Sequence, residues 1–352
     1  MKLLIYADPH WSSYSSIVRS RGEKYSTRLE NLINTMNWIE EQAEINRCNA
    51  IVCLGDFFDK SEISAEEATA LQEVSWNRDI KHYMIVGNHE MGRSNLEHSS
   101  AHLFALIPNT EVVDTHYVYN TYDGTSLVFL PYVLENNRKP LKEYLNCIQL
   151  EENVIILSHN DIAGIQLGNV VSTCGFSIEE IEENCSLFLN GHLHNDTEIG
   201  KKIINVGNIT GQNFSEDAFA HNHKAFILDT NEKSLVPIVN PHAMNFYKLD
   251  LTDLRPTIDD LKIQNTLSSL KSPAIVTIKI NPDINFVVRD LLTTCDNILE
   301  CRLVTEGTKG EQSIESINND INLDHIQKFQ MYVMENIGKD ELTLNELERV
   351  SK

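Results

Sequence analysis

The chain has 352 residues, 41% of them hydrophobic, and a formal net charge of -22; this length suits about two globular domains at roughly 150 residues each and excludes a wholly disordered chain. Such acidity excludes indiscriminate adhesion to nucleic acid through a broad basic surface, while leaving metal ions, a local groove or a partner subunit free to draw in a polyanion. No apolar run approaches the ~20 residues of a spanning helix, and the first apolar stretch turns polar at Asp8, so an unanchored, cytoplasmic protein is expected.

Residues 3–7 form a compact apolar run that ends in Asp8-Pro9-His10, the pattern of a buried strand feeding a loop. Across residues 28–47, Leu29, Leu32, Ile33, Met36, Trp38, Ile39 and Ala43 recur at spacings of three and four, which predicts an amphipathic helix. A second buried strand is expected over 50–54, stopped by Gly55-Asp56. A second helix is expected from Ser64 to about Trp76, opened by a Ser64/Glu67 capping box. It leads to a strand over 83–86 and directly to Gly87-Asn88-His89-Glu90, where the glycine is expected to free the backbone. Strands and helices alternating in this way predict stacked βαβ units, whose sites lie in the crevice beyond the carboxyl ends of the strands.

Short alternating strands are expected over 112–132, with a turn at Asp123-Gly124. Further strands end at Ser158-His159-Asn160, at Gly191-His192-Leu193-His194 and at Gly207-Asn208. Closing strands over 225–228 and 235–239 lead to a boundary at Asn240-Pro241-His242. Beyond it the pattern reads helix (258–270), strand (274–280), helix (284–292), strand (297–304), a small α+β appendage. Residues 306–320, rich in Gly, Ser, Asn and Glu, read as a linker, and 321–352 as a helical hairpin that packs on its own domain or docks a partner.

A lone Asp-x-His or Gly-Asp is commonplace at turns. All these clusters together, each ending a predicted strand, point instead to a metal site. Two ions about 3.5 to 4 Å apart need a bridging carboxylate and several further ligands each, with open positions for water and phosphate oxygens. Asp56 is the natural bridge, Asp8 and His10 suit one ion, Asn88 suits the other, and His159, His192 and His194 supply imidazoles. Mixed N/O ligation favours Mn²⁺, Fe²⁺ or Zn²⁺ over Ca²⁺ or Mg²⁺. The seven cysteines contain no Cys-x-x-Cys pair, so thiolate ligation is not expected. His89 is left to hydrogen-bond a phosphate oxygen or protonate a leaving alkoxide, with Glu90 orienting its ring. His221-Asn222-His223 precedes a strand and reads as loop. Arg19, Arg21, Lys24 and Arg28 follow the first ligands closely in an acidic chain and are expected either to contact DNA phosphates or to form a solvated loop.

These motifs resemble the ordered pattern D-x-H, G-D-x-x-D/H, G-N-H-D/E, H, G-H-x-H of the calcineurin-like metallophosphoesterase superfamily, over about residues 1–240. The resemblance implies a four-layer α/β/β/α sandwich (1–240) followed by a small α+β accessory domain (241–305), the linker (306–320) and C-terminal helices (321–352). It implies that Asp8, His10, Asp56 and His194 hold one divalent metal ion and Asp56, Asn88, His159 and His192 a second, Mn²⁺ foremost, with His89 at the transition state. Chain length, Gly-Asp-Phe-Phe-Asp at 55–59, Val206-Gly207-Asn208-Ile209-Thr210 and the C-terminal appendage look like the SbcD-type DNA repair nuclease subunits, bacteriophage recombination endonuclease subunits among them. That narrower resemblance implies a DNA exo/endonuclease of recombination, repair and replication, a homodimer, and an SbcC-type coiled-coil ATPase partner bound near the C-terminus. Asp59 stands where some relatives carry a His linked to exonuclease action, and Glu90 replaces the commoner Asp. The other readings are a small-molecule phosphatase or cyclic-nucleotide phosphodiesterase, and a non-catalytic scaffold subunit.

Overall fold

The computed structural model describes residues 1–13, 24–146, 149–167, 170–214, 216–306 and 312–318. Its main strands in chain order are β1 (Lys2–Tyr6), β2 (Ala50–Cys53), β3 (Lys81–Ile85), β4 (Thr110–Val113), β5 (Tyr117–Asn120), β6 (Thr125–Leu130), β7 (Asn153–Ser158), β8 (Leu187–Asn190), β9 (Thr197–Ile199), β10 (Ile203–Asn205), β11 (Lys224–Asp229) and β12 (Ser234–Val239). They form two six-stranded sheets, ordered β12-β11-β1-β2-β3-β4 and β9-β10-β8-β7-β6-β5. Within them β1, β2, β3 and β4 run parallel, as do β6, β7, β8 and β10. Both faces of each sheet are covered, which is why the central strands are continuous apolar runs rather than alternating ones.

Leu3, Ile5, Val52 and Ile85 of the first sheet meet Leu127, Phe129, Ile155 and Leu157 of the second, forming the central core. The outer face of the first sheet, with Leu4, Tyr6 and Ile51, is covered by Leu29, Leu32, Met36 and Ile39 of helix α1 (Thr27–Ile45). Helix α2 (Ala65–Ala70) lies farther along the same side. The outer face of the second sheet packs Val128, Ile156 and Phe188 against Leu141 and Leu145 of α3 (Leu141–Leu145) and Ile181 of α4 (Ile178–Asn184). The layers are therefore α/β/β/α, as expected.

Ser26 caps α1 by accepting from Leu29 N, and the Ser64/Glu67 capping box is present. The second helix is shorter than expected, giving way at Leu71–Glu73 to a 3-10 turn. Beyond this turn Trp76 joins an aromatic cluster in which the Phe57, Trp76 and Phe104 rings meet, with centroids of Phe57 and Phe104 4.6 Å apart.

A further four-stranded sheet is built from β13 (Asn245–Asp250), β14 (Ala274–Ile280), β15 (Ile298–Glu306) and β16 (Gln312–Asn318) in that order. Tyr247, Ile278 and Leu303 on one face pack on Ile263 and Leu267 of α5 (Asp260–Ser268) and on Val288 and Leu292 of α6 (Asn285–Leu292). On the other face Phe246 and Ile275 join Met244 and Phe214. Two elements differ from expectation: β13 was not anticipated, and the expected linker contains β16, antiparallel to β15. The polar composition of 312–318 hides an edge strand, which needs backbone pairing rather than an apolar face. The expected helical hairpin at 321–352 lies outside the described residues.

Candidate metal centre

The loops that leave β1, β2, β3, β7 and β8 at their carboxyl ends converge on one edge of the two sheets. Backbone bonds knit them together: Asp8 N donates to Gly55 O (3.2 Å), His10 N to Asp56 O (3.1 Å) and Gly191 N to Ser158 O (2.9 Å). Asp8, His10, Asp56 and His192 adopt left-handed backbones, with φ of 52°, 47°, 49° and 77°. Non-glycine residues held there are strained, and the surrounding packing must over-determine them. Glycine is required where these loops touch. A Cβ on Gly55 would lie 2.4 Å from His159 Nδ1, and one on Gly87 2.2 Å from Asp56 Oδ1. Gly87 is not among the positive-φ glycines, so its role is close approach to Asp56 rather than backbone freedom.

The expected ligands come together. Ligand atoms of Asp8, His10 and His194 lie within 4.8 Å of one another, and so do those of Asp56, His159 and His192. His10 Nε2 and His194 Nε2 are 3.1 Å apart, as are His159 Nε2 and Asn88 Oδ1, and His159 Nε2 and Asp56 Oδ2. Donor atoms at about 2.0–2.2 Å from one ion stand roughly 3–3.5 Å from each other, so these separations fit shared ions. The His159 tautomer is set from behind. His159 Nδ1 donates to Leu54 O (2.7 Å), which turns the Nε2 lone pair toward the centre. His192 Nε2 faces Asp161 Oδ1 at 3.0 Å, His194 Nδ1 faces Glu216 Oε1 at 3.4 Å, and His10 Nδ1 faces Asp59 Oδ1 at 3.3 Å.

Charge supports the same fit. Asp8, Asp56 and Glu216 are all buried here, and carboxylates gathered away from water require compensating positive charge or, as at Glu90, a proton. Burial, then the neighbouring Asp56, pushes the Glu90 carboxyl up to about 8. Burial by itself lowers His159, yet Asp56, Asp8 and the Leu54 carbonyl outweigh it and push the ring up to about 9: the buried carboxylates draw positive charge to the spot, as a proton on His159 where a divalent ion would otherwise supply it. The donor set of carboxylate, amide and imidazole groups, with no thiolate, suits divalent ions of intermediate hardness.

Other expected residues take different places. His89 is half exposed at the mouth. Its Nδ1 donates to Asp59 O (3.1 Å), its N donates to Asp56 Oδ1 (2.9 Å), and its ring lies edge-on to His10. Glu90 does not orient that ring: its carboxylate accepts from Gly87 N (2.8 Å) and Phe58 N (3.1 Å), tying two ligand loops together. Arg28 is fully buried, donating to Gly211 O (2.6 Å) and Pro9 O (2.8 Å), which overturns the expectation that it contacts DNA. Lys24 is exposed and paired with Glu73, while Arg19 and Arg21 lie outside the described residues. His223 precedes β11 in a loop, as expected, and is buried with its Nδ1 donating to Asn208 O (3.0 Å). Sequence reading missed Asp161 and Glu216. Asp161 directly follows Ser158-His159-Asn160 and was within reach; Glu216 sits in no motif, and only the fold brings it to His194.

Solved structures similar to this chain include a dimetal phosphatase from Danio rerio (13% identity, covering 68% of this chain and 99% of that one, TM-score 0.37). Others are YfcE, a phosphoesterase from E. coli (13%, 68% and 100%, TM-score 0.32), and the calcineurin-like phosphoesterase YfkN from Bacillus subtilis (10%, 68% and 88%, TM-score 0.36). No curated protein matches the chain significantly in sequence. The family model of the calcineurin-like phosphoesterases matches residues 1–196, and with the ligand-bearing loops of both sheets inside that span or at its edge, the chain belongs to that family and is a hydrolase of phosphoester bonds.

Proposed function

We propose that this chain is a metal-dependent DNA nuclease of the SbcD type, acting as a homodimer with an SbcC-type coiled-coil ATPase in a bacterial or phage-infected cytoplasm. Asp8, His10, Asp56 and His194 would hold one ion and Asp56, Asn88, His159 and His192 the other, with Mn²⁺ suited to the mixed donors. When bound, such ions polarise the phosphodiester and supply the nucleophile. The chain's own groups do the rest. With Nδ1–H committed to the Asp59 carbonyl, the Nε2 of His89 is the nitrogen available to the substrate, to bond a phosphate oxygen or, when protonated, to give its proton to the leaving oxygen. Asp56 holds the His89 backbone in place while Glu90 locks the loops of Phe58 and Gly87 behind it.

The observation that favours a polymer substrate is the joint between the site and the appended sheet. Gln212 donates to Asp59 Oδ1 (3.0 Å) and Glu216 faces His194, while Gly211 N donates to Met244 O (3.0 Å) and Ala218 N to Phe246 O (3.0 Å). One short segment thus touches both the catalytic rim and β13, so a substrate lying along the sheet would reach the metals. The test is a nuclease assay in Mn²⁺ on single- and double-stranded DNA, with and without the ATPase. Cleavage confined to nucleotides or small phosphoesters would sink the DNA reading in favour of a phosphatase or cyclic-nucleotide phosphodiesterase.

A further inference from the structure

A cavity of about 300 Å³ opens beside the metal centre, walled by the hairpin of Asn95 and Leu96, by Asp114 and His116 after β4, and by Tyr132 and Tyr144. Its size is at the lower end of ligand pockets, right for one small organic group and too small for a duplex. Tyr132 is the shared wall. Its ring lies 5.9 Å from that of His192 and 6.4 Å from that of His159, and its hydroxyl donates to Asp161 Oδ2 (3.2 Å). A group attached to a phosphate at the metals therefore has the cavity as its neighbour.

The lining says what that group is. Glu97 and Asp114 face the space, which disfavours a second phosphate by like-charge repulsion. Tyr144 offers an aromatic face, held edge-on to His116 and Phe176 with centroids 5.7 and 6.0 Å apart. Asn95 and Asn137 offer amides that both donate and accept. Aromatic walls with amide hydrogen-bonding groups and no cation suit a nucleobase with its sugar.

We propose that this cavity is the nucleoside subsite of the phosphodiesterase, receiving the unpaired base and sugar attached to the scissile phosphate. The assignment rests on the phosphodiesterase reading above. A base seated here has left its stack, so the site works on unpaired nucleotides, at frayed or single-stranded DNA, and a paired base must first be extruded.

The test compares the p-nitrophenyl ester of thymidine 5′-phosphate with methyl p-nitrophenyl phosphate, which has the same leaving group and no ring to seat in the cavity, both assayed in Mn²⁺ with the full chain. Leu96→Trp fills the cavity from an edge hairpin, and Tyr144→Leu removes the stacking face. Each is expected to lower kcat/KM for the nucleoside ester about tenfold, the scale of one base–aromatic contact, with the methyl ester changed less than about twofold; the latter also shows that the variant is folded. Equal losses on both esters, or no loss from Leu96→Trp, overturn the subsite. Failure of the unaltered protein to cleave either ester overturns the phosphodiesterase reading and the subsite with it.

Discussion

His89 and Asp56 are adjacent in the site but answer to different chemistry. His89→Ala removes a proton donor worth about 10²–10⁴ in rate while leaving every metal ligand in place, so turnover is expected to collapse with metal content unchanged. Asp56→Ala is expected to lose metal as well, measured by elemental analysis of the purified variants; unaltered activity in either one sinks the assignment. Glu216→Gln keeps the shape behind His194 but withdraws the negative charge, and metal affinity should fall about 10–100-fold, read by isothermal titration. The convergence of the candidate Asp, Asn and His side chains was legible in the sequence because each motif closes a strand. Arg28 was misread for a physical reason: composition reports a charge, not its burial, and the long arginine side chain reaches inward to cap the Pro9 and Gly211 carbonyls. Glu90 was misplaced because its partners, the Gly87 and Phe58 amides, are backbone groups that carry no sequence signal.

The elements that present these residues are held by aromatic packing. Trp11 stacks on Phe57 with centroids 5.7 Å apart, and Phe104 meets both Phe57 and Phe58. The loops after β1 and β2 thus share one apolar footing. Phe104→Ala is expected to cost about 3–5 kcal/mol and to lower the Tm, seen by calorimetry, with activity falling although Phe104 touches no ligand. A Tm unchanged within a degree would show that the cluster does not anchor the loops. At this scale the sequence was most readable where periodicity was strong, as in α1 and in the buried runs of β1, β2 and β14. It was least readable at β13 and β16, where alternation is short and pairing with neighbours, not local pattern, decides the strand.

At the scale of the whole molecule, a chain of net charge -22 concentrates buried carboxylates at one sheet edge. Chelation of the protein's metals is therefore expected to lower the Tm, and added Mn²⁺ to restore it, by about 2.7 kcal/mol of stabilisation at a hundredfold excess over Kd. Thermal unfolding that ignores both treatments would contradict the metal assignment. The sheet order carries a consequence for how the protein is made. β1, synthesised before the other strands of its sheet, sits in the interior of that sheet, parallel to β2 on one side and antiparallel to β11 on the other. One of its edges stays open until residues 224–229 have been synthesised, and His10 must wait for His194, 184 residues further along the chain. Nascent chains truncated before that strand should expose an unpaired, apolar edge and depend on chaperones for solubility. The hydrolytic centre is assembled near the end of translation of the sandwich, so the growing polypeptide carries no working phosphoesterase until its fold is closed.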